Sequence, residues 1–144
     1  MSDNNAEKLQ LKRQLENKIS QLEGYINQIK NEKIALNQKK VRLENARDRI
    51  ATQKANFRKV KSNDDSMIDA KYSWKGSNYD SYKSKGGNLT EADTDYESTV
   101  DNVHDSLNIA INEVEKEIAH RTGIISSCVA EINGAWTRIS NIFN

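Results

Sequence analysis

Leu15, Leu22, Ile29, Leu36, Leu43, Ile50 and Phe57 recur every seven residues without a miss, which leaves the chain few ways to bury them. Seven residues are two turns of α-helix, so the row becomes a stripe along one helix face. Ile19 and Ile26 fill the alternate heptad position. The spacing predicts one amphipathic helix over roughly residues 5–61. A second row follows: Leu107, Ile111, Val114, Ile118, Arg121, Ile125, Cys128, Ile132, Ala135, Ile139 and Ile142 alternate steps of four and three, with Arg121 the only polar member. It predicts a second helix over roughly residues 90–142, with Asn88 or Thr90 of "NLTEAD" as N-cap and acids in the first turn. Residues 62–89 are left as turn and linker.

Composition agrees with this reading and bounds it. The 144 residues include no proline, 30% charged and 35% hydrophobic side chains, a balance shared by long helices and by disordered chains, so the periodicity decides between them. One domain spanning 1–144 is expected. Narrow stripes of this kind are not stable alone in water, so each helix needs a facing one. The N-terminus "MSDNNAEKLQ" has neither an apolar core nor a cleavage site, so the reading expects no secretory signal peptide, cytoplasmic synthesis and no membrane insertion. The single Cys128 leaves no internal disulfide to form.

Charge indicates which helix faces which. Residues 30–61 carry eleven basic side chains against Glu32, Glu44 and Asp48, a net of plus eight; residues 91–117 carry nine acids against Lys116, a net of minus eight. Folding the chain back at its middle lays one block on the other. The expected fold is therefore all-α: a long, coiled-coil-like antiparallel two-helix hairpin, completed by a partner into a helical bundle. Lys33, Lys40, Arg47 and Lys54 continue the seam position of Ile19 and Ile26, which is tolerable where Asp101, Glu115 and Glu117 flank the seam opposite. A register with paired residue numbers summing to the low 150s puts Arg121 near Glu32 and Gly24 within about a turn of Gly123. Exposed ion pairs each contribute only about 0.3 to 0.5 kcal/mol, so the pattern sets register and orientation more than stability.

The middle of the chain, "KYSWKGSNYDSYKSKGG" (71–87), gathers Trp74, three of the five tyrosines and three of the six glycines. At a hairpin turn, Trp74 can cover the open end of the seam and Gly76 can take the positive φ of a tight reversal. The competing reading is a tip aromatic without a partner. Lys85, Gly86 and Gly87 are expected to break the chain before the second helix.

A helix, a W-x-G turn ("WKG", Trp74 to Gly76) and a second helix resemble the WXG superfamily of helical-hairpin proteins of Gram-positive type VII (ESX-like) secretion. The length, the near-equal arms and the Lys/Asn-rich first helix look closest to its YwqH-like branch, encoded beside LXG polymorphic toxins. The resemblance covers the whole chain in architecture and three residues in motif. It implies a non-enzymatic partner that docks on the helical N-terminal region of an LXG-domain toxin, with room for a second small helical protein, and helps present the toxin for export. Substrates of this type that carry their own export signal show Tyr followed four residues later by Asp or Glu near the C-terminus. None of the five tyrosines here is followed in that way, so the resemblance implies either export on a partner or a chaperone that stays in the cytoplasm.

Apart from any family, the sequence suggests where a partner binds. Val129, Trp136 and Phe143 add a further stripe at steps of seven, with Ile124 on the other flank, and Leu11 and Tyr25 widen the first helix beside Leu15, Ile19, Leu22 and Ile26. In an antiparallel hairpin the two widened faces are expected to coincide at the end away from the turn. A face spanning three or more heptad positions calls for a third element, with Trp136 its natural anchor. The competing reading folds Trp136 and Phe143 over the frayed end of the hairpin's own core. Gly24, Gly123 and Gly134 each cost about 1 kcal/mol relative to Ala in a helix; they are either incidental or places where another backbone comes close.

Catalytic and cofactor chemistry find no support. His104 and His120 stand sixteen residues apart on what reads as polar helix surface, with no ligand set such as H-E-x-x-H. Cys128 sits at a seam position, where a small core residue is expected rather than a nucleophile. "SKGGN" lacks the preceding strand and the Lys-Ser/Thr of a phosphate loop. No cofactor, no metal and no enzymatic activity are expected. Three functional readings remain: a partner of an LXG-type toxin, a self-associating homodimeric coiled coil, and a nucleic-acid-binding or antitoxin protein using the basic block. The net charge of +1 and the matching acidic block argue against the third.

Overall fold

The structure, a computed structural model, describes the backbone of residues 2–70 and 77–144 and the side chains of 3–66 and 80–144. It is an all-α helical hairpin of two elements, α1 (Ser2–Ala70) and α2 (Ser77–Ile142). Among the described residues there is no strand.

Both helices run further toward the middle of the chain than the apolar rows predict. The expected linker 62–89 is helical from 62 to 70 and from 77 to 89, which corrects those boundaries. In α1 the sequence "SNDDSMIDA" contains no glycine or proline, so the helix continues after its apolar row has ended. In α2 the pair Gly86–Gly87 does not break the helix. Gly86 is buried and lies two heptads before Val100, so the seam row continues through it. Thr90 is no N-cap: its Oγ donates to the Gly86 carbonyl at 3.0 Å, the back-bond of a mid-helix threonine. The helix starts instead at Ser77, with Asp80 in its first turn, an acid placed well for the N-terminal end of the helix dipole. Trp74 and Gly76, the proposed turn motif, lie outside the described residues.

The contacts group into two units, Met1–Lys40 with Glu113–Asn144, and Val41–Asn112. Each is a pair of antiparallel helical segments. In the first, the apolar rows meet as expected: Leu15 and Ile19 are buried with Ala135 and Ile139, and Ile132 and Ile142 pack against them. Ile26, Ile29, Val114 and Cys128 are buried along the same seam, so Cys128 is a small core residue. Arg121, the one polar member of the α2 row, donates its Nε to Glu32 at 3.1 Å and an Nη to the Glu117 carbonyl at 3.4 Å. This is the contact a register summing to the low 150s requires. Lys40 pairs with Glu115 at 3.2 Å.

In the second unit the seam is mostly polar. Val100 and Ile111 are buried, and the Phe57 and Tyr96 rings lie 4.5 Å apart, tilted by 50°. Lys54 pairs with Asp101, while Arg58 and Lys61 both reach Glu97 at 3.3 Å. Lys54 and Lys61, at heptad positions, are thus met by acids from α2, whereas Arg47 pairs with Asp48 of its own helix; long aliphatic stems can fill a seam while their charged ends reach its edge. His104, expected on a polar surface, is half-buried in the same heptad row as Ile111; its Nδ1 lies 3.4 Å from the Asn108 side-chain nitrogen. Asp93 is also buried, and its Oδ2 has no hydrogen-bond partner.

Candidate interaction surface

The seam defines an inward line on each helix, and one further residue turns the helix by about 100°. Val129, Trp136 and Phe143 each follow a seam residue (Cys128, Ala135, Ile142), whereas Ile124 precedes one (Ile125). On α1, Leu11 and Tyr25 precede Lys12 and Ile26, and Leu9 follows Lys8. In an antiparallel pair, residues that follow the seam share one flank and residues that precede it share the other. Leu9 therefore lies on the flank of Val129, Trp136 and Phe143, and Leu11 and Tyr25 lie on that of Ile124. The two widened faces belong to the same unit but not to the same flank, which corrects the expectation that they coincide.

Exposure separates the candidate residues further. Trp136 is 49% exposed, Phe143 54% and Val129 44%, values that leave a large apolar residue facing solvent. Leu9, Leu11 and Tyr25 are exposed as well, and Ile124 is half-buried. Leu15 and Ile19 are 5% and 3% exposed. They are taken up by the hairpin's own seam and are not available to a partner, which corrects their assignment to the interface. The physical reason is that heptad position, not mere apolarity, decides which way a side chain faces. Trp136, in contrast, does not fold over the seam.

The flank has a second property that the apolar residues alone did not reveal. From Thr122 to Asn144 the only charged side chains are Glu131 and Arg138, in a chain where charged residues make up 30%. Both immediately precede seam residues, Ile132 and Ile139, so both fall on the opposite flank. There they rim a shallow groove together with Lys18 over Leu15, Gly134 and Ala135. From Thr122 onward the α2 side of the Trp136 flank and the outer face of α2 therefore carry no charge, while on the α1 side Glu16, Glu23 and Lys30 follow Leu15, Leu22 and Ile29 onto the same flank. Depletion of charge with an exposed aromatic is the composition of an interface core. A Cβ built on Gly24, Gly123 or Gly134 would meet nothing within 4 Å, so none of these glycines accommodates a close approach within the chain.

Part of the charged block of α1 is engaged across the seam. Lys40, Lys54, Arg58 and Lys61 are paired with acids of α2. Hydrogen bonds from Lys61 and then Arg58 hold the Glu97 carboxyl below its ordinary value, and the bond from Lys54 does the same for Asp101. Among the described residues no cluster of three His, Cys, Asp or Glu side chains could hold a metal ion, and no helix is long and apolar enough to cross a membrane.

Comparison of the chain with protein-family models, curated proteins and solved structures gave no match.

Proposed function

We propose that this chain is a non-enzymatic binding partner, a targeting chaperone that docks on the helical N-terminal region of an LXG-type toxin for type VII secretion. The observation that carries a protein-binding role is the Trp136 flank: Trp136, Phe143 and Val129 are exposed on a helix face without charge. The secretion context rests on the resemblance of the "WKG"-bearing hairpin to the WXG superfamily, and the all-α hairpin is the architecture that resemblance implies. Without a Tyr-x-x-x-acid signal of its own, the chain would be exported only with a partner that supplies one. Four of the eleven cations of the basic block pair with α2 acids, which weakens a phosphate-binding reading.

The test is affinity purification of the tagged chain from its own host, with mass spectrometry of what co-elutes, for the wild type and for Trp136→Ser. The proposal expects a large protein with a helical N-terminal region, recovered in stoichiometric amount with the wild type and lost with the variant. Recovery of the wild-type chain with no such protein contradicts it.

A further inference from the structure

In the unit formed by Val41–Asn112, the two flanks of the seam differ in character. One holds the Lys54–Asp101 and Arg58–Glu97 pairs. The other is apolar. Leu89, Tyr96, Val103 and Ala110 recur every seven residues on α2, each directly before a position of the seam row (Thr90, Glu97, His104, Ile111). On α1, Ala46, Gln53 and Val60 stand in the same way before Arg47, Lys54 and Lys61. Residues that precede the seam share a flank in an antiparallel pair, so the two rows lie side by side, and neither contains a charged residue. Leu89, Tyr96, Val103 and Val60 are all exposed. The Tyr96 ring rests against Phe57 at 4.5 Å, which orients it before anything binds. Contiguous exposed apolar residues of this kind mark a docking surface.

We infer that this flank takes an amphipathic helix of another protein, one whose apolar row is bordered on both sides by Asp or Glu. The charges around the patch choose that occupant. Arg42 and Arg49 come four residues before Ala46 and Gln53 and so stand beside them on the surface of α1. Lys85 stands in the same relation to Leu89 on α2. All three cations are exposed, and among the described residues none has an acid partner. The other members of these edges are uncharged: Asn56 and Asn63 on α1, Ala92, Thr99 and Ser106 on α2. Beyond them Glu113 is already paired with Lys116. The rim is therefore cationic on both sides. Arg42 and Arg49 lie seven residues apart, about 10 Å along the helix, which matches acids one heptad apart on a helix laid along the groove. Leu89 to Val103 covers about 21 Å, the length of about four helical turns. A second copy docking through the same flank would set these cations against like charges. A nucleic acid would meet the cations but leave Leu89, Val103 and Val60 without an apolar counterpart. The site lies on a different flank and in a different unit from Trp136, so it does not rest on the function proposed above.

The experiment uses the full chain and a labelled synthetic peptide about four heptads long, with leucines in its seam row and glutamates on both borders, followed by fluorescence anisotropy. A second peptide carries lysines in place of the glutamates. The glutamate peptide is expected to bind at least roughly tenfold more tightly than the lysine peptide. Replacing both arginines, Arg42→Glu with Arg49→Glu, is expected to reverse that order. Val103→Glu is expected to abolish binding of the glutamate peptide at unchanged helical circular dichroism, and Trp136→Ser to leave it unaltered. Equal binding of the two peptides, binding that survives Val103→Glu, or loss of binding on Trp136→Ser overturns the inference. So does a single-stranded oligonucleotide of equal charge that competes as strongly as unlabelled glutamate peptide, since the rim would then be a site for polyanions. Capture of a toxin from the host is read through Trp136→Ser and this site through Val103→Glu, so the two proposals fail separately.

Discussion

At the scale of single residues, heptad position decides what each apolar side chain does. Ile139 and Trp136 are three residues apart on α2; the first is 9% exposed and the second 49%. Truncating Ile139 to Ala opens space against Leu15 and Ile19 and is expected to cost about 2–4 kcal/mol in urea unfolding. Glycine offers the opposite sign. Gly24 lies in the interior of α1 and a Cβ there meets nothing, so Gly24→Ala is expected to stabilise the chain by about 1 kcal/mol, read as a higher urea midpoint at unchanged slope. Asp93 marks a residue that the sequence reading passed over: it is buried, one heptad before Val100. The signal was the heptad count itself, continued upstream of Leu107, which a search for apolar residues alone ends too early.

At the scale of the elements, ion pairs orient α1 against α2 where apolar packing is thin. Glu97 and Asp101 have carboxyls held below their ordinary values by Lys61, Arg58 and Lys54. A carboxylate whose folded value is depressed adds stability that is present above its unfolded value and lost as pH falls through the folded one. Acidifying from neutrality into and below the ordinary carboxylate range should therefore loosen these pairs, a loss that Glu97→Gln should reduce; acid titrations of both proteins by circular dichroism check this. Both carboxylates are solvent-accessible, so the effect is small. The Arg121–Glu32 pair is expected to show a coupling of about 0.2–1 kcal/mol in a double-mutant cycle, diminished by salt. The two helices, their antiparallel pairing and this register were legible because the Leu15–Phe57 and Leu107–Ile142 rows and the two charge blocks are long-range patterns. The helix ends were not legible, because Gly86–Gly87 and Thr90 carry the chemistry of a break and a cap, whereas continuation of the seam through buried Gly86 prevails over both.

At the scale of the whole molecule, the apolar side chains divide into those that close the hairpin and those left for a partner. Leu15 and Ile19 belong to the first set and Trp136, Val129 and Phe143 to the second. The interface was legible in part: the seven-residue stripe gave its residues, but which flank each row occupies follows only once the seam is located. Depletion of charge from Thr122 onward was readable and became informative when its two charged residues, Glu131 and Arg138, fell together on the other flank. The most direct test is urea unfolding of Trp136→Ser beside Ile139→Ala, at dilutions where copies do not pair. The account predicts that Trp136→Ser stays within about 0.5 kcal/mol of the wild type, as a surface substitution does, while Ile139→Ala loses several times that. A Trp136→Ser variant as unstable as Ile139→Ala would place Trp136 in the hairpin's own core and contradict the interface assigned to it.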